Sequence, residues 1–128
     1  MTNQEFIQRF ESDTLPGDSF HHGDHVRLAF AYLSECPVLQ ALERFADGLK
    51  RYAGARGKSG LYHETITYAY FFLIRERMMR DAPYEWDEFS GRNPDLLVWK
   101  GGLLSRYYTE ETLQSDLARG IFLMPDRF

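Results

Sequence analysis

The sequence predicts an all-α fold, a compact single-domain helical bundle with an irregular C-terminal third. Apolar residues recur three and four positions apart through most of the first two thirds of the chain, as one face of an α-helix requires. Apolar and polar residues nowhere alternate as they do in a half-buried strand. With 128 residues, 44% of them hydrophobic and 16% aromatic, the chain can bury one core of its own.

Residues typical of helix starts and helix stops define the bounds of the first two predicted helices. Thr2 stands three residues before Glu5, which is the spacing of a capping box, and it predicts a short first helix that the Leu-Pro-Gly sequence at 15–17 ends. The second helix is expected from about residue 23 to residue 36. It stops there because Pro37 disfavours helical geometry in the residue before it.

The third and fourth predicted helices are the longest. Pro37 is expected at the first position of the third helix, which runs to the glycine-rich turn at 54–60. Ser59 is the predicted cap of the fourth helix, at about 61–80, with Pro83 as its stop. Apolar residues lie around the whole circumference of this helix, so it is predicted to be the most buried one.

Beyond Pro83 the predicted elements are short and separated by turn residues. They are a turn or two at 85–90, a break at Asn93-Pro94, a helical piece at 95–99, the Gly101-Gly102 pair, and a final helix at 110–119 with Thr109 as its cap and Gly120 just past its end.

Charge and composition exclude several classes of function. The net charge is −4 and its charges are scattered, so no basic stripe is available to bind nucleic acid. No apolar run is long enough to span a membrane, and no nucleotide or flavin signature occurs. The single cysteine, Cys36, forms no internal disulfide, and the amino terminus lacks a signal pattern. A cytoplasmic location is predicted.

Three of the four histidines fall in one string, FHHGDHVRLAFAYL at 20–33, and the fourth lies in LYHETIT at 61–67. Either His21 or His22 shares a helical face with His25, and two imidazoles one turn apart can chelate a cation. His63, from a second helix start, is the expected third ligand. The two strings therefore predict a site for a divalent transition metal whose identity remains open.

The residues around this site have predicted roles in handling a small organic ligand. Glu64 is expected to act as a general base or as a fourth ligand, and Tyr62 and Tyr68 are expected to flank the substrate pocket. The alternative is a non-catalytic interaction or ligand-binding module, in which the histidines only satisfy buried backbone groups. A homodimer is compatible with either alternative.

Three strings together resemble a family of small bacterial proteins. They are FHHGDHVRLAFAYL, GLYHETITYAYFFL and YYTEETLQSDLARGIFLMPDR, and they cover nearly the whole chain. Phe30 stands where the family often has tryptophan, and Leu61 stands where lysine is usual. No activity is assigned to that family, so the resemblance implies a soluble, bacterial, helical protein and no substrate.

A partial resemblance links the same strings to the HD-type metal phosphohydrolases. His21 and His25 resemble the first histidine string of that family, and His63 with Glu64 stands in place of its adjacent His-Asp pair. The resemblance implies that His25, His63 and Glu64 are metal ligands and that His21 is a general acid. It also implies that Asp95 or Asp116 is the closing carboxylate.

Overall fold

The computed structural model describes residues 1–15, 20–81, 85–99 and 102–127, and within these ranges the chain is helical without any β-strand. Helices α1 to α4 pack on one another, and the elements after residue 85 are short. The predicted all-α bundle is confirmed. The α-helices of the described ranges are α1 (Asn3–Glu11), α2 (His22–Glu35), α3 (Val38–Ala55), α4 (Glu64–Arg80), α5 (Trp86–Arg92), α6 (Glu110–Leu113) and α7 (Asp116–Gly120), and 3₁₀ turns occupy Ser59–Leu61, Pro94–Leu97 and Leu103–Arg106.

Helix α1 begins at the predicted cap. The backbone N–H of Glu5 donates to Thr2 Oγ1 over 3.1 Å, which satisfies one of the amides that a helix start leaves open. The helix ends at Glu11, before the predicted stop at 15–17, of which residues 16 and 17 lie outside the described ranges. Its inner face adds Phe6, Ile7 and Phe10 to the core.

Helix α2, rather than α4, is the most buried helix. Leu28, Ala29 and Tyr32 are each 0% exposed, because α2 packs against α1, α3 and α4 at once. In α4, Phe72 remains 40% exposed and Met79 70% exposed. The prediction that α4 is the most buried helix is wrong, since a count of apolar side chains does not reveal which sides of a helix its neighbours cover.

Pro37 separates α2 from α3, as predicted, but it is the cap of α3 and not its first residue. Its ψ of 153° is extended, and its carbonyl accepts the first helical hydrogen bond, from Ala41 N, over 2.8 Å. The φ that a proline ring fixes is compatible with either position. The helical residues of α3 therefore start at Val38.

The end of α3 is a Schellman motif. Gly57 adopts a left-handed conformation with φ +67°, which costs glycine nothing because it has no Cβ. The N–H of Gly57 donates to the carbonyl of Gly54, and the N–H of Lys58 donates to the carbonyl of Ala53 over 2.8 Å. This motif fixes the backbone of Lys58 where the chain turns toward α4.

Helix α4 is capped by His63 and not by the predicted Ser59. The N–H of Ile66 donates to His63 Nδ1 over 3.1 Å. Ser59 instead begins the 3₁₀ turn that precedes the cap. Helix α4 ends at Arg80, and the predicted stop, Pro83, lies outside the described ranges.

The predicted final helix is interrupted. Thr109 caps α6 as expected, since its hydroxyl accepts from Thr112 N over 3.2 Å, but α6 ends at Leu113. Ser115 then starts α7 by accepting from Ala118 N over 3.1 Å. Gly120 is the last residue of α7 and does not lie beyond it. The second cap explains the break, because the backbone of Ser115 is extended and cannot continue a helix.

Residues 121–127, here called the C-terminal strap, are held against the start of α4. Thr65 is 0% exposed, and its hydroxyl donates to the carbonyl of Ile121 over 2.8 Å and accepts from Leu123 N over 3.0 Å. Tyr108 donates to the carbonyl of Leu123 over 2.7 Å. The strap thus joins the C-terminal third to the first turn of α4.

Among the helices of the described ranges, none combines the length and the apolar character that crossing a membrane requires.

Candidate functional site

A cavity of about 810 Å³ lies between the first halves of α2 and α4, the second half of α3 and the elements that follow residue 98. Its volume and its mainly apolar lining are typical of a site for a small organic molecule. The apolar and aromatic part of the wall includes Phe20, Phe45, Leu49, Tyr52, Ile66 and Ile74.

The cavity brings together four of the residues that the sequence singled out. His22, His25, His63 and Tyr62 all contribute to its wall. The two histidine strings therefore meet at one cavity, although they are some 40 residues apart in the chain. The other predicted site residues lie elsewhere.

His22 is half-buried at the first residue of α2. Its Nε2 lies 2.8 Å from the carbonyl oxygen of Leu96, and because a carbonyl only accepts, Nε2 carries the proton. The ring meets Tyr70 edge-on with a centroid separation of 4.7 Å. Burial lowers the pKa of His22, against the opposing effect of the bond to Leu96. The ring is thus neutral at neutral pH, with Nδ1 as a hydrogen-bond acceptor.

His25 is the least satisfied imidazole of the cavity wall. Burial, and to a smaller extent the neighbouring His22, lower its pKa to about 4, while Asp24 opposes the shift. Its ring centroid lies 4.7 Å from that of Phe20. The ring makes no hydrogen bond to any residue within the described ranges. His25 is therefore a neutral imidazole whose two nitrogens are available to a molecule in the cavity.

Both ring nitrogens of His63 are engaged with backbone. Nδ1 accepts from Ile66 N, which assigns the proton to Nε2, and Nε2 donates to the carbonyl of Leu113 over 2.6 Å. Leu113 is the last residue of α6, so its carbonyl has no partner within that helix. His63 therefore ties the start of α4 to the end of α6.

The described residues do not bring three metal ligands together. Among them, no group of three or more His, Cys, Asp or Glu side chains is placed to hold a metal ion. For His63 to join His22 and His25 as a ligand, it would have to release Ile66 or Leu113. Metal binding by this trio stays a prediction, which a measurement of metal content tests.

Glu64, the predicted base, is not part of the cavity wall. Its carboxylate accepts from the Tyr62 hydroxyl over 2.6 Å and lies 3.9 Å from Lys50 Nζ. Burial and the bond to Glu64 raise the pKa of Tyr62. Glu64 is therefore linked to the cavity wall through its hydrogen bond with Tyr62, while the adjacent His63 lines the cavity itself.

His21 and Tyr68 also lie outside the cavity wall. His21 is the exposed cap residue of α2, and its backbone N–H donates to Asp24 Oδ2 over 3.0 Å. The ring of Tyr68 stacks on Phe122 of the C-terminal strap, with centroids 5.8 Å apart. Neither side chain stands where the predicted role of general acid or substrate contact requires it.

Asp95 and Asp116, the two candidate carboxylates that the phosphohydrolase resemblance implies, lie outside the cavity wall. Asp95 receives two hydrogen bonds from the guanidinium of Arg77, at 2.6 and 2.7 Å, and these lower the pKa of its carboxyl. Asp116 is exposed in the first turn of α7. Neither lines the cavity that holds His25 and His63. Phosphoester hydrolysis stays a prediction.

Tyr70 and Trp99 line the cavity but were not expected there. Tyr70 is 6% exposed, and its hydroxyl makes no hydrogen bond within the described part of the chain. Its position on the apolar face of α4 indicates a core residue, and the sequence offers no signal that its hydroxyl faces a cavity. The helical piece predicted at 95–99 is a 3₁₀ turn that ends at Leu97, so Trp99 lies beyond it in a segment without regular structure.

Exposed side chains from two regions meet at one side of the cavity, here called the mouth. The nitrogen Nη1 of Arg119 donates to the carbonyl of Gly60 over 3.1 Å and so joins these regions. The members of the mouth are Arg56, Lys58 and Leu61 from the chain between α3 and α4, and Glu110, Gln114 and Arg119 from α6, α7 and their junction.

Substitutions at His63 are expected to separate its two roles. In His63→Asn the amide oxygen can still cap Ile66 N–H, but the shorter side chain does not extend to Leu113, so the expected loss of stability is about 1 kcal/mol. His63→Ala removes both bonds and is expected to cost about 2 kcal/mol. Chemical denaturation measures both changes.

Hydrogen exchange locates the effect of each variant. Amides of α6 and of the 114–115 junction should exchange faster in both variants, whereas amides of the first turn of α4 should do so only in His63→Ala. Unchanged exchange around Leu113 in His63→Asn would contradict the proposed tie.

Comparisons with known proteins give no relative for this chain. No family model matches it, and neither the curated proteins nor the solved structures contain a significant match.

Proposed function

We propose that the protein binds a small, largely apolar organic molecule in the cavity, with His22, His25 and Tyr70 as its polar contacts. The observation that carries this proposal is the state of His25, a neutral imidazole in an aromatic wall without a hydrogen-bond partner among the described residues. His25 is partly buried and lines the cavity, so a molecule inside the cavity can contact its ring. A polar group of that molecule would form a hydrogen bond with one of the ring nitrogens.

The other polar groups of the wall support the same proposal. His22 and Tyr70 both line the cavity and their rings contact each other, so a ring nitrogen and a hydroxyl belong to neighbouring side chains of the wall. The rest of the wall is mainly apolar. A few polar groups set in an apolar surface are the usual means by which such sites orient their ligands.

The three histidines divide between the two alternatives that the sequence left open. His63 satisfies two backbone groups, as the alternative of structural histidines predicts. His22 and His25 have nitrogens that no described residue occupies, and this favours contact with a ligand. The proposal therefore assigns ligand binding to α2 and a structural role to His63.

A neutral fluorescent probe tests the proposal. N-phenyl-1-naphthylamine is apolar, carries one N–H, and brightens on leaving water. We expect saturable binding of one probe per chain. Ala53→Phe, which places a ring in the cavity wall, should weaken binding by about tenfold or more. Ala55→Phe is the matched control, since Ala55 is exposed on the same helix and does not line the cavity.

Two results would contradict the proposal. One is the absence of saturable binding to the wild-type protein. The other is an equal loss in Ala53→Phe and Ala55→Phe when both retain the wild-type melting temperature, because the probe would then bind outside the cavity.

A further inference from the structure

The mouth of the cavity is cationic although the whole chain is not. Three of its six residues are cations, Arg56, Lys58 and Arg119, and only Glu110 is an acid. The chain as a whole carries a net charge of −4. The excess of positive charge at the mouth is therefore a local departure from the charge of the molecule.

Two of these cations are not neutralised. The guanidinium of Arg56 pairs with Asp13 at 2.7 Å, so its charge is compensated. Arg119 donates to the backbone carbonyl of Gly60, and neither Arg119 nor Lys58 has a carboxylate partner among the described residues. The one acid of the mouth, Glu110, accepts from the Gln114 amide over 3.0 Å.

Backbone hydrogen bonds bring together the chain segments that carry these two cations. The Schellman motif that ends α3 fixes Lys58, and Gly60, which accepts from Arg119, is only two residues further along the chain. Lys58 also accepts from Leu61 N through its own carbonyl, over 2.9 Å. Lys58 is thereby presented from a fixed turn, and Arg119 of α7 is joined to the same turn by its hydrogen bond to Gly60.

The interior of the cavity offers no counterpart to this charge. Among the described lining residues, only those of the mouth are charged, and the imidazoles of His22 and His25 and the hydroxyl of Tyr70 are neutral at neutral pH. A charged group of a ligand would lose solvation there without compensation. It would be compensated beside Lys58 and Arg119, where water and opposite charge are both available.

We propose that the ligand is an amphipathic organic anion, whose apolar part fills the cavity and whose negatively charged group lies at the mouth between Lys58 and Arg119. This inference rests on the proposed function and names the chemical class of the ligand. A carboxylate and a sulfonate share the required chemistry, which is one negative charge at the end of an apolar skeleton.

A matched pair of probes tests this proposal. 8-Anilinonaphthalene-1-sulfonate is N-phenyl-1-naphthylamine with one added sulfonate, so the pair differs in the anionic group alone. We expect the sulfonate to bind the wild-type protein about tenfold more tightly than the neutral probe, and raised salt to reduce that difference.

Substitutions at the mouth should affect only the anion. The double variant Lys58→Met, Arg119→Met is expected to lose about tenfold in affinity for the sulfonate and to keep its affinity for the neutral probe within about twofold. Arg80→Met is the matched control, because Arg80 is an exposed cation of α4 that pairs with Glu76 and does not line the cavity. Ala53→Phe should weaken the binding of both probes by about tenfold or more.

The outcomes separate the two proposals. Equal affinity for both probes, or a double variant that binds the sulfonate as the wild type does, overturns the anionic ligand and leaves the cavity as a binding site. Loss of both probes to the same extent in the double variant, or in the charge reversal Lys58→Glu, also overturns it. If neither probe binds the wild-type protein, the proposed function fails as well.

Discussion

Acidification from pH 7 to pH 4 is expected to lower the free energy of unfolding by about 3 kcal/mol through His25 alone. Burial, and the neighbouring His22, hold the pKa of His25 at about 4 in the folded protein. The imidazole of an unfolded chain titrates near pH 6.5. Between these values the unfolded state binds more protons than the folded state, so stability falls as the pH falls.

The direction of this effect defines its pH window. Above about pH 6.5 His25 is neutral in both states and the fold keeps its full stability. The loss accumulates between about pH 6.5 and pH 4, and it is complete once the folded protein also takes up the proton. His22, whose pKa is also lowered by burial, contributes in the same direction.

His25→Phe is the variant that isolates this contribution. A phenyl ring keeps the aromatic contact with Phe20 but does not titrate. Asp95 and Asp126, whose carboxyl pKa values are lowered by hydrogen bonds, lose stability with falling pH in both proteins and therefore cancel in the difference. Urea denaturation at pH 7 and pH 4 should show a difference of about 3 kcal/mol between the pH effects of wild type and variant. An identical pH dependence of the two proteins would contradict the buried neutral imidazole.

Thr65→Val is expected to destabilise the protein by about 3 kcal/mol although it preserves shape and volume. The buried hydroxyl of Thr65 serves two backbone groups of the C-terminal strap, the carbonyl of Ile121 and the N–H of Leu123. Each buried group that loses its partner costs about 1 to 3 kcal/mol. The valine offers neither a donor nor an acceptor in return.

Thr65→Ser is the control for this prediction. Serine retains the hydroxyl and removes one methyl group, so most of the stability should remain. In Thr65→Val, amides of the strap at 121–127 should exchange with solvent faster than in either other protein. If Thr65→Val were as stable as Thr65→Ser, the strap would not depend on this hydroxyl.

Local signals in the sequence were sufficient to predict where several helices begin. The caps at Thr2 and Thr109 are formed by bonds to residues three positions away, so the sequence contains all that decides them. The cap of α4 was predicted at Ser59 and lies at His63. The position of His63 as the cap also depends on Leu113, 50 residues away in the chain, whose carbonyl accepts a hydrogen bond from the other nitrogen of the same ring.

The candidate site was only partly predictable for the same reason. The clustering of histidines at two helix starts predicted one shared site, and His22, His25 and His63 all line one cavity, while their roles there stay a prediction. Glu64 bonds to Tyr62 and does not line the cavity as His63 does, because the two adjacent residues differ in their rotation about the helix axis. The contributions of Tyr70 and of the cationic mouth depend on how α3, α4 and α7 pack, which periodicity does not specify.

The irregular C-terminal third supplies exposed lining residues, among them Ser105, Glu110 and Gln114, that the hydrophobic core does not use. These positions can therefore vary during evolution without disturbing the packing of the long helices. Substitutions at these positions are therefore the place to begin for changing the preference of the proposed binding site while leaving the core intact.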